Sequence, residues 1–161
     1  MDEAELKKAR FYALKVINFR PRSIGELKDK LKEKGFPDNI TIEVLAEFSK
    51  KGLLNDVKFS KLWVNSRLHS NPKGNLALKR ELKEKGIEDN IINKVIAESR
   101  EEKSEYETAK GLADSRMNSM ADLDKKTAKR RLFGYLKRRG FDFEVIMKVL
   151  DEEFSKKRNA F

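Results

Sequence analysis

Apolar residues recur along this chain at helical spacing, three times in one register. Leu27 and Leu31, Leu78 and Leu82, and Leu132 and Leu136 are i, i+4 pairs, which puts both members of each pair on one helix face. Four residues after each second leucine stands a glycine: Gly35, Gly86 and Gly140. An apolar residue follows at once (Phe36, Ile87, Phe141), then another five past the glycine (Ile40, Ile91, Val145). A pair closes each pattern: Val44 and Leu45, Val95 and Ile96, Val149 and Leu150. The repeat is about 50 residues long, and an internal period of that size marks stacked supersecondary units.

The glycine has a mechanical reading. Helices commonly end one residue before a left-handed position, where glycine carries no steric penalty. Lys34, Lys85 and Arg139 precede it, and positive charge suits a helix C-terminus. A second helix follows almost immediately, with Asp38, Asp89 and Asp142 as predicted N-caps. A third helix lies upstream of each leucine pair. It is predicted from about Glu3 to Asn18 with Leu6, Ala9, Ala13 and Ile17 on one face. In the second copy it starts near Asp56 and carries Phe59, Leu62, Trp63 and Ser66. In the third it starts near Ser104, with Tyr106, Ala109, Leu112, Ala113 and Met117. Ser23 and Glu26 read as a capping box. Asn75 and Asp124 open the equivalent helices.

The predicted fold is therefore all-α, a tandem array of three three-helix repeats at residues 1–52, 53–102 and 103–161. Each triplet is too small to bury much core alone, so neighbours must share surface.

Charge narrows the function. Lys and Arg number 37 against 27 Asp and Glu, a net charge of +10, which suits an acidic partner, nucleic acid above all. The chain has no cysteine, so disulfides and thiolate metal sites are excluded and a reducing cytoplasm is the expected compartment. The N-terminal "MDEAELKKARFYALKV" has no uninterrupted apolar run, which argues against a signal peptide or a membrane span. His69 is the only histidine, carboxylates stand beside lysines at helical spacing, and neither GxGxxG nor GxxxxGK[ST] occurs. No enzyme, cofactor, metal or small-molecule substrate is expected.

The strongest charge feature is "KKTAKRRLFGYLKRRG". Residues 125–139 carry eight basic side chains and no acidic one. With Ala128, Leu132 and Leu136 inward, Lys126, Arg130 and Lys137 are expected on one exposed stripe and Arg131 and Arg138 on the opposite flank. Lys79, Arg80 and Lys83 hold the matching helix of the second repeat. Arg20, Arg22, Arg67 and Lys73 add charge near the corners. Together these twelve residues are the candidate contacts for a partner or nucleic acid. Tyr135 is a candidate stacking surface. Trp63 and Tyr12 occupy equivalent positions before the corner leucines, which predicts a packing role for both.

These residues resemble the RecX regulators of the RecA recombinase over nearly the whole chain. "ALKVINFRPRSIGELKDKLKEKGF" is similar to that family's opening repeat, through Pro21-Arg22-Ser23, Glu26-Leu27, Leu31 and Lys34-Gly35-Phe36. "GLLNDVKFSKLWVNSRL" resembles its middle signature through Asp56, Phe59 and Val64 to Arg67; "KGNLALKRELKEKGI" and "AKRRLFGYLKRRGF" resemble the later ones. Asn55 stands where the family often has an acid, and Asn75 where it often has proline. The resemblance implies an elongated, curved array that binds the RecA–DNA filament and represses RecA's ATPase and strand-exchange activities, with weaker binding to single- or double-stranded DNA. A monomer is expected. Two other readings stay open on the residues alone: a stand-alone nucleic-acid binder, and a scaffold for an unrelated acidic protein.

Overall fold

The computed structural model describes the backbone of residues 2–159 and the side chains of residues 2–155. Those residues form nine α-helices and one 3-10 turn, with no strand among them. The helices are α1 (Glu3–Phe19), α2 (Ile24–Glu33), α3 (Asp38–Lys50), α4 (Asp56–Ser70), α5 (Asn75–Glu84), α6 (Asp89–Ser99), α7 (Glu105–Met117), α8 (Lys125–Arg138) and α9 (Phe143–Asn159); the turn is Asn118–Met120. The chain divides into two compact units, Met1–Leu62 with Leu82–Ile92, and Trp63–Glu81 with Asn93–Phe161. The division falls inside α4, α5 and α6.

Local chemistry places the helix ends. Ser23 Oγ accepts from the Glu26 N–H at 3.0 Å, and the Glu26 carboxylate accepts from the Ser23 N–H at 3.1 Å, so the predicted capping box is present. Ser104 and Glu107 form another at α7. Asp124 caps α8 through the Thr127 N–H at 3.0 Å. Asp142 accepts from the Glu144 N–H, but Asp38 and Asp89 are the first residues of α3 and α6 instead of their caps. Their carboxylates face back to Lys32 at 3.1 Å and Lys83 at 3.4 Å. Pro37, fixed in φ, takes the cap position of α3 with no side-chain bond.

The three corners are Schellman turns. Phe36, Ile87 and Phe141 donate their N–H to the carbonyls of Leu31, Leu82 and Leu136, and Gly35, Gly86 and Gly140 donate to Lys32, Lys83 and Lys137. The glycines take φ of +96°, +77° and +83°, a region costly for any residue with a Cβ. The repeated leucine thus buries its side chain and closes the turn with its carbonyl. Gly52, at φ +74°, ends α3 in the same way, with Leu53 donating to Phe48.

The first repeat packs Leu6, Ala9, Ala13, Leu27, Leu31, Ile40, Val44 and Phe48 into one core. The third packs Ala109, Ala113, Leu132, Leu136, Phe141, Ile146, Val149 and Leu150. The buried face of α4 is rotated from the expected one. Phe59, Ser60 and Val64 are buried, while Leu62 is 51% exposed and Ser66 stands in solvent. Ile92 and Ile146, one residue past the expected Ile91 and Val145, are the buried members of their helices.

Successive repeats meet through their corners. In the first unit, Ser23 Oγ donates to the Lys85 carbonyl at 2.6 Å, Lys85 Nζ donates to Glu26 at 2.8 Å, and the Ile24 N–H donates to Asp56 at 2.9 Å. A Cβ on Gly25 would stand 2.8 Å from the Lys85 carbonyl oxygen. The second unit repeats the design. The Gly74 N–H donates to the Arg139 carbonyl, the Leu76 N–H to the Gly140 carbonyl, and the Asn75 N–H to Glu105 at 2.9 Å. Arg100 adds a clasp through Asn75 at 2.8 Å, the Lys73 carbonyl at 2.9 Å and Thr108 at 3.0 Å. Burial pushes its guanidinium pKa down, and Glu105 opposes the shift.

Burial alone would raise the Glu26 pKa. Hydrogen bonds from Arg20, Lys85 and the Ser23 N–H outweigh it and lower the carboxyl to about 2. A group whose folded pKa lies below its unfolded one stabilises above the unfolded value and loses that contribution as pH falls toward the folded one. Glu26→Gln is therefore expected to reduce stability by about 2 kcal/mol near neutrality, since it strips a charged partner from a part-buried network. The difference from the parent should shrink as pH drops from about 4.5 toward about 2. Urea unfolding at neutral and acid pH checks both halves; a constant difference would remove Glu26 from the acid sensitivity.

Candidate partner and nucleic-acid interface

α8 buries Ala128, Leu132 and Leu136 completely, which leaves the opposite half of the helix to solvent. At 100° per residue that half divides into two flanks, and each lines a depression of its own. On one flank Arg130, Arg131, Arg138 and Tyr135 meet Arg116 of α7 around an open depression of ≈ 490 Å³. Gly134 lies on its floor, where a Cβ would stand 3.1 Å from Arg138 Nη1. The Arg116 guanidinium lies 4.2 Å from the centre of the Tyr135 ring and that of Arg139 5.3 Å. Tyr135 is therefore flanked by two arginines, and it is half-buried at the edge of the depression.

The other flank carries Phe133 and Lys137, whose Nζ stands 5.9 Å from the Phe133 ring centre. Together with Leu76 and Arg80 of α5 and with Phe143 they border an apolar depression of ≈ 290 Å³. Phe143 is 62% exposed and Leu76 48%, and the Phe143 ring meets Phe133 edge-on at 6.2 Å. Lys126 is exposed in the first turn of α8. Lys126, Arg130 and Lys137 are all exposed and at 100° per residue lie within about 40° of one another, as expected of one stripe; Arg130 also borders the arginine depression and Lys137 the apolar one.

The remaining candidates separate by their partners. Arg20 grips Glu26 through both terminal nitrogens, at 3.2 and 2.8 Å. Arg67, Lys73 and Trp63 converge on Glu81: Arg67 Nε and Trp63 Nε1 donate at 3.0 and 2.9 Å, and Lys73 Nζ is bonded as well. Burial raises the Glu81 pKa, but these donors more than reverse it, and the net shift is downward. The Arg67 guanidinium also lies 4.7 Å from the Trp63 ring centre. Trp63 and Tyr12 are half-buried, each under a cation, with Lys34 5.6 Å from the Tyr12 ring. Arg22 holds its Nε buried without a hydrogen-bond partner. Lys83 pairs with Asp89. Lys79 and Arg80 are exposed on α5.

Arg116, Leu76 and Phe143 belong to these surfaces and escaped the sequence reading. Arg116 lies outside the basic run, and only the packing of α7 against α8 brings it there. Among the described residues no cluster of His, Cys, Asp or Glu is arranged to hold a metal ion. No helix among them is long and apolar enough to cross a membrane.

Three family models match in order along the chain: the first three-helix domain of RecX over residues 9–48, the second over 55–96 and the third over 103–150. This chain belongs to the RecX family. It is 34% identical to the regulatory protein RecX of Amycolatopsis mediterranei, over 94% of this chain and 86% of the relative. Identity to the RecX of Chlorobaculum tepidum is 32%, over 95% of each. The crystal structure of RecX from Lactobacillus salivarius superposes with a TM-score of 0.83 at 22% identity, covering 92% of this chain and 96% of that one. A second RecX crystal structure gives 0.81 at 20% identity, covering 91% and 73%. The Amycolatopsis and Chlorobaculum relatives are named as regulatory proteins. The residues through which the chain resembles RecX are largely joints: Ser23 and Glu26 cap α2, Leu27 and Leu31 fill the core, and Gly35 and Phe36 close the turn.

Proposed function

We propose that this chain is a non-enzymatic cytoplasmic regulator that binds the RecA–DNA filament as a monomer and represses RecA's ATPase and strand-exchange activities in recombination and DNA repair. The observation that carries this reading is the apolar depression beside α8. Exposed Phe143 and Leu76 stand between two cations, Arg80 and Lys137. An exposed apolar patch with a charged rim suits a protein surface, and a filament offers both protein and phosphate. Lys79 and Lys126 are further exposed cations of the same unit, and Lys83 of the other unit is a candidate contact paired with Asp89. Such a ligand represses turnover only by binding one filament state more tightly than the others. Arg20, Arg22, Arg67 and Lys73 contribute mainly through the folded scaffold, since three of them are already engaged with Glu26 or Glu81.

The arginine depression favours a second reading, a stand-alone nucleic-acid binder. ATP turnover by RecA on single-stranded DNA separates the two. The regulator slows turnover at substoichiometric amounts, and extra DNA does not relieve it. Slowing that disappears when more strand is supplied would move the assignment to the nucleic-acid binder.

A further inference from the structure

We infer that the arginine-lined depression on α8 holds successive phosphates of a single-stranded nucleic acid, engaging the backbone and not the bases. This rests on the DNA contact in the reading above and assigns it a place. Four guanidiniums, from Arg116, Arg130, Arg131 and Arg138, border one depression, and none forms an ion pair with a carboxylate among the described residues. Two other cation clusters are answered: Arg20 and Lys85 by Glu26, Arg67 and Lys73 by Glu81. The carboxylate of Asp124 is held down first by its hydrogen bonds from Thr127, and Arg130 adds only the smallest contribution. An arginine set left without acids leaves its planar donor forks open to an anion.

The repeat register points the same way. Ser23, Ile24, Gly25 and Glu26 receive the corner of the second repeat, and Gly74, Asn75, Leu76 and Ala77 receive that of the third. Counted back from the corner leucines, the third repeat has Ala128, Lys129, Arg130 and Arg131 at those positions. At the position of Gly25 and Leu76 the third repeat has Arg130, which lies inside α8 and not at its N-terminus. Small and hydrogen-bonding residues have given way to long cations, so this face suits a charged partner and not another repeat.

The shape selects the ligand. Four guanidiniums around one depression of ≈ 490 Å³ carry more positive charge than a single phosphate can answer. A strand with regularly spaced charges spans them. Gly134 leaves room for the Arg138 fork, whose Nη1 stands 3.1 Å from where a Cβ would lie. The Tyr135 ring already has the Arg116 and Arg139 guanidiniums beside it at 4.2 and 5.3 Å, so cations compete with a base for the ring and the contact should be indifferent to sequence.

The test is binding of a labelled oligothymidylate and of an abasic phosphodiester strand of equal length, each titrated over a range of salt. The parent chain is expected to bind both within about twofold. Arg131→Gln with Arg138→Gln should flatten the dependence of log affinity on log salt by roughly 1.4, at about 0.7 per phosphate contact on a single strand. The exposed pair Lys7→Gln with Lys8→Gln removes the same charge elsewhere and should leave the slope unchanged. If the glutamine pair fails to fold by circular dichroism, Arg131→Lys with Arg138→Lys keeps the charge, and loss of the forks should still weaken binding severalfold. Inorganic phosphate at matched ionic strength should compete poorly, since it cannot span the site. Strong competition would make the depression a free-phosphate site and overturn the inference. A strand that binds only with its bases, equal slopes for the two glutamine variants, or equally strong competition by polyglutamate would overturn it as well, the last transferring the depression to an acidic protein segment. RecA ATP turnover is measured separately with the same variants. Repression retained alongside a failed strand test sinks this site alone, and absent repression by a parent chain that passes it sinks the regulatory reading alone.

Discussion

Gly140→Ala is expected to destabilise the protein by about 3 to 4 kcal/mol, and Gly35→Ala by only about 1. Both glycines sit at a left-handed corner, at φ +83° and +96°, and both pay the intrinsic penalty of placing a Cβ there, about 1–2 kcal/mol. They differ in what the Cβ meets. At Gly35 nothing lies within 4 Å. At Gly140 the methyl would overlap Ala77, side chain and backbone together, at the joint where the Leu76 N–H donates to the Gly140 carbonyl at 3.0 Å. Overpacking a close contact adds about 1–3 kcal/mol, and here the neighbour is helix backbone that cannot swing aside. Gly86 is intermediate, since its Cβ would stand 3.2 Å from the Gly25 Cα, so Gly86→Ala should fall between the two, with Gly86→Val costing more than Gly86→Ala because a β-branched residue is poorly accommodated at positive φ. Urea unfolding of these variants gives the order. Equal losses at Gly35 and Gly140 would mean that the corners matter only for their own turns.

That contrast marks what was legible in the sequence. The three corners were, because a left-handed helix end is local chemistry and leucine at i, i+4 before glycine states it in nine letters. The capping pairs Ser23–Glu26 and Asp124–Thr127 belong to the same class. The family's fold followed from these signals in sequence order. Gly52 was missed although its turn is the same, because it follows Phe48 and Ser49 with no leucine pair to draw attention to it.

Tertiary context decided the rest. In α4 the spacing of Phe59, Leu62, Trp63 and Ser66 describes a good helical face, yet Phe59, Ser60 and Val64 are buried. The helix has apolar residues on more than one side, so periodicity alone could not choose among them. Asp38 and Asp89 had the right residue type for caps but stand one position too late. The basic run is legible as an exposed helix, and α8 spans it. Its division into two surfaces was not legible, because one is completed by Arg116 from α7 and the other by Leu76, Arg80 and Phe143, all distant in sequence. Nor could the sequence tell Lys73, fastened to Glu81, from Lys79, which stands exposed on α5.

Reversing Lys126, Arg130 and Lys137 to Glu is expected to weaken bare-DNA binding by about tenfold or more at low salt, and filament binding by less. All three side chains are exposed, and exposed substitutions away from special features change stability little, so the variant should melt near the parent. Affinity for a polyanion comes mostly from released counterions, which makes it fall steeply with salt and makes each lost phosphate contact visible as a shallower slope. A RecA–DNA filament adds a protein surface, and on this chain Phe143 and Leu76 offer apolar area between Arg80 and Lys137 for it to cover. Burial of apolar area does not depend on counterion release. Filament binding should therefore outlast bare-DNA binding as salt is raised, and the charge reversal should narrow the difference in slope between the two partners. Anisotropy with bare strand and with preassembled filament, across salt, measures both. Equal slopes for the parent chain on the two partners would favour the plain nucleic-acid binder. A folded triple variant that represses RecA's ATPase at parental potency would take these three charges out of the mechanism and leave the apolar depression to carry it.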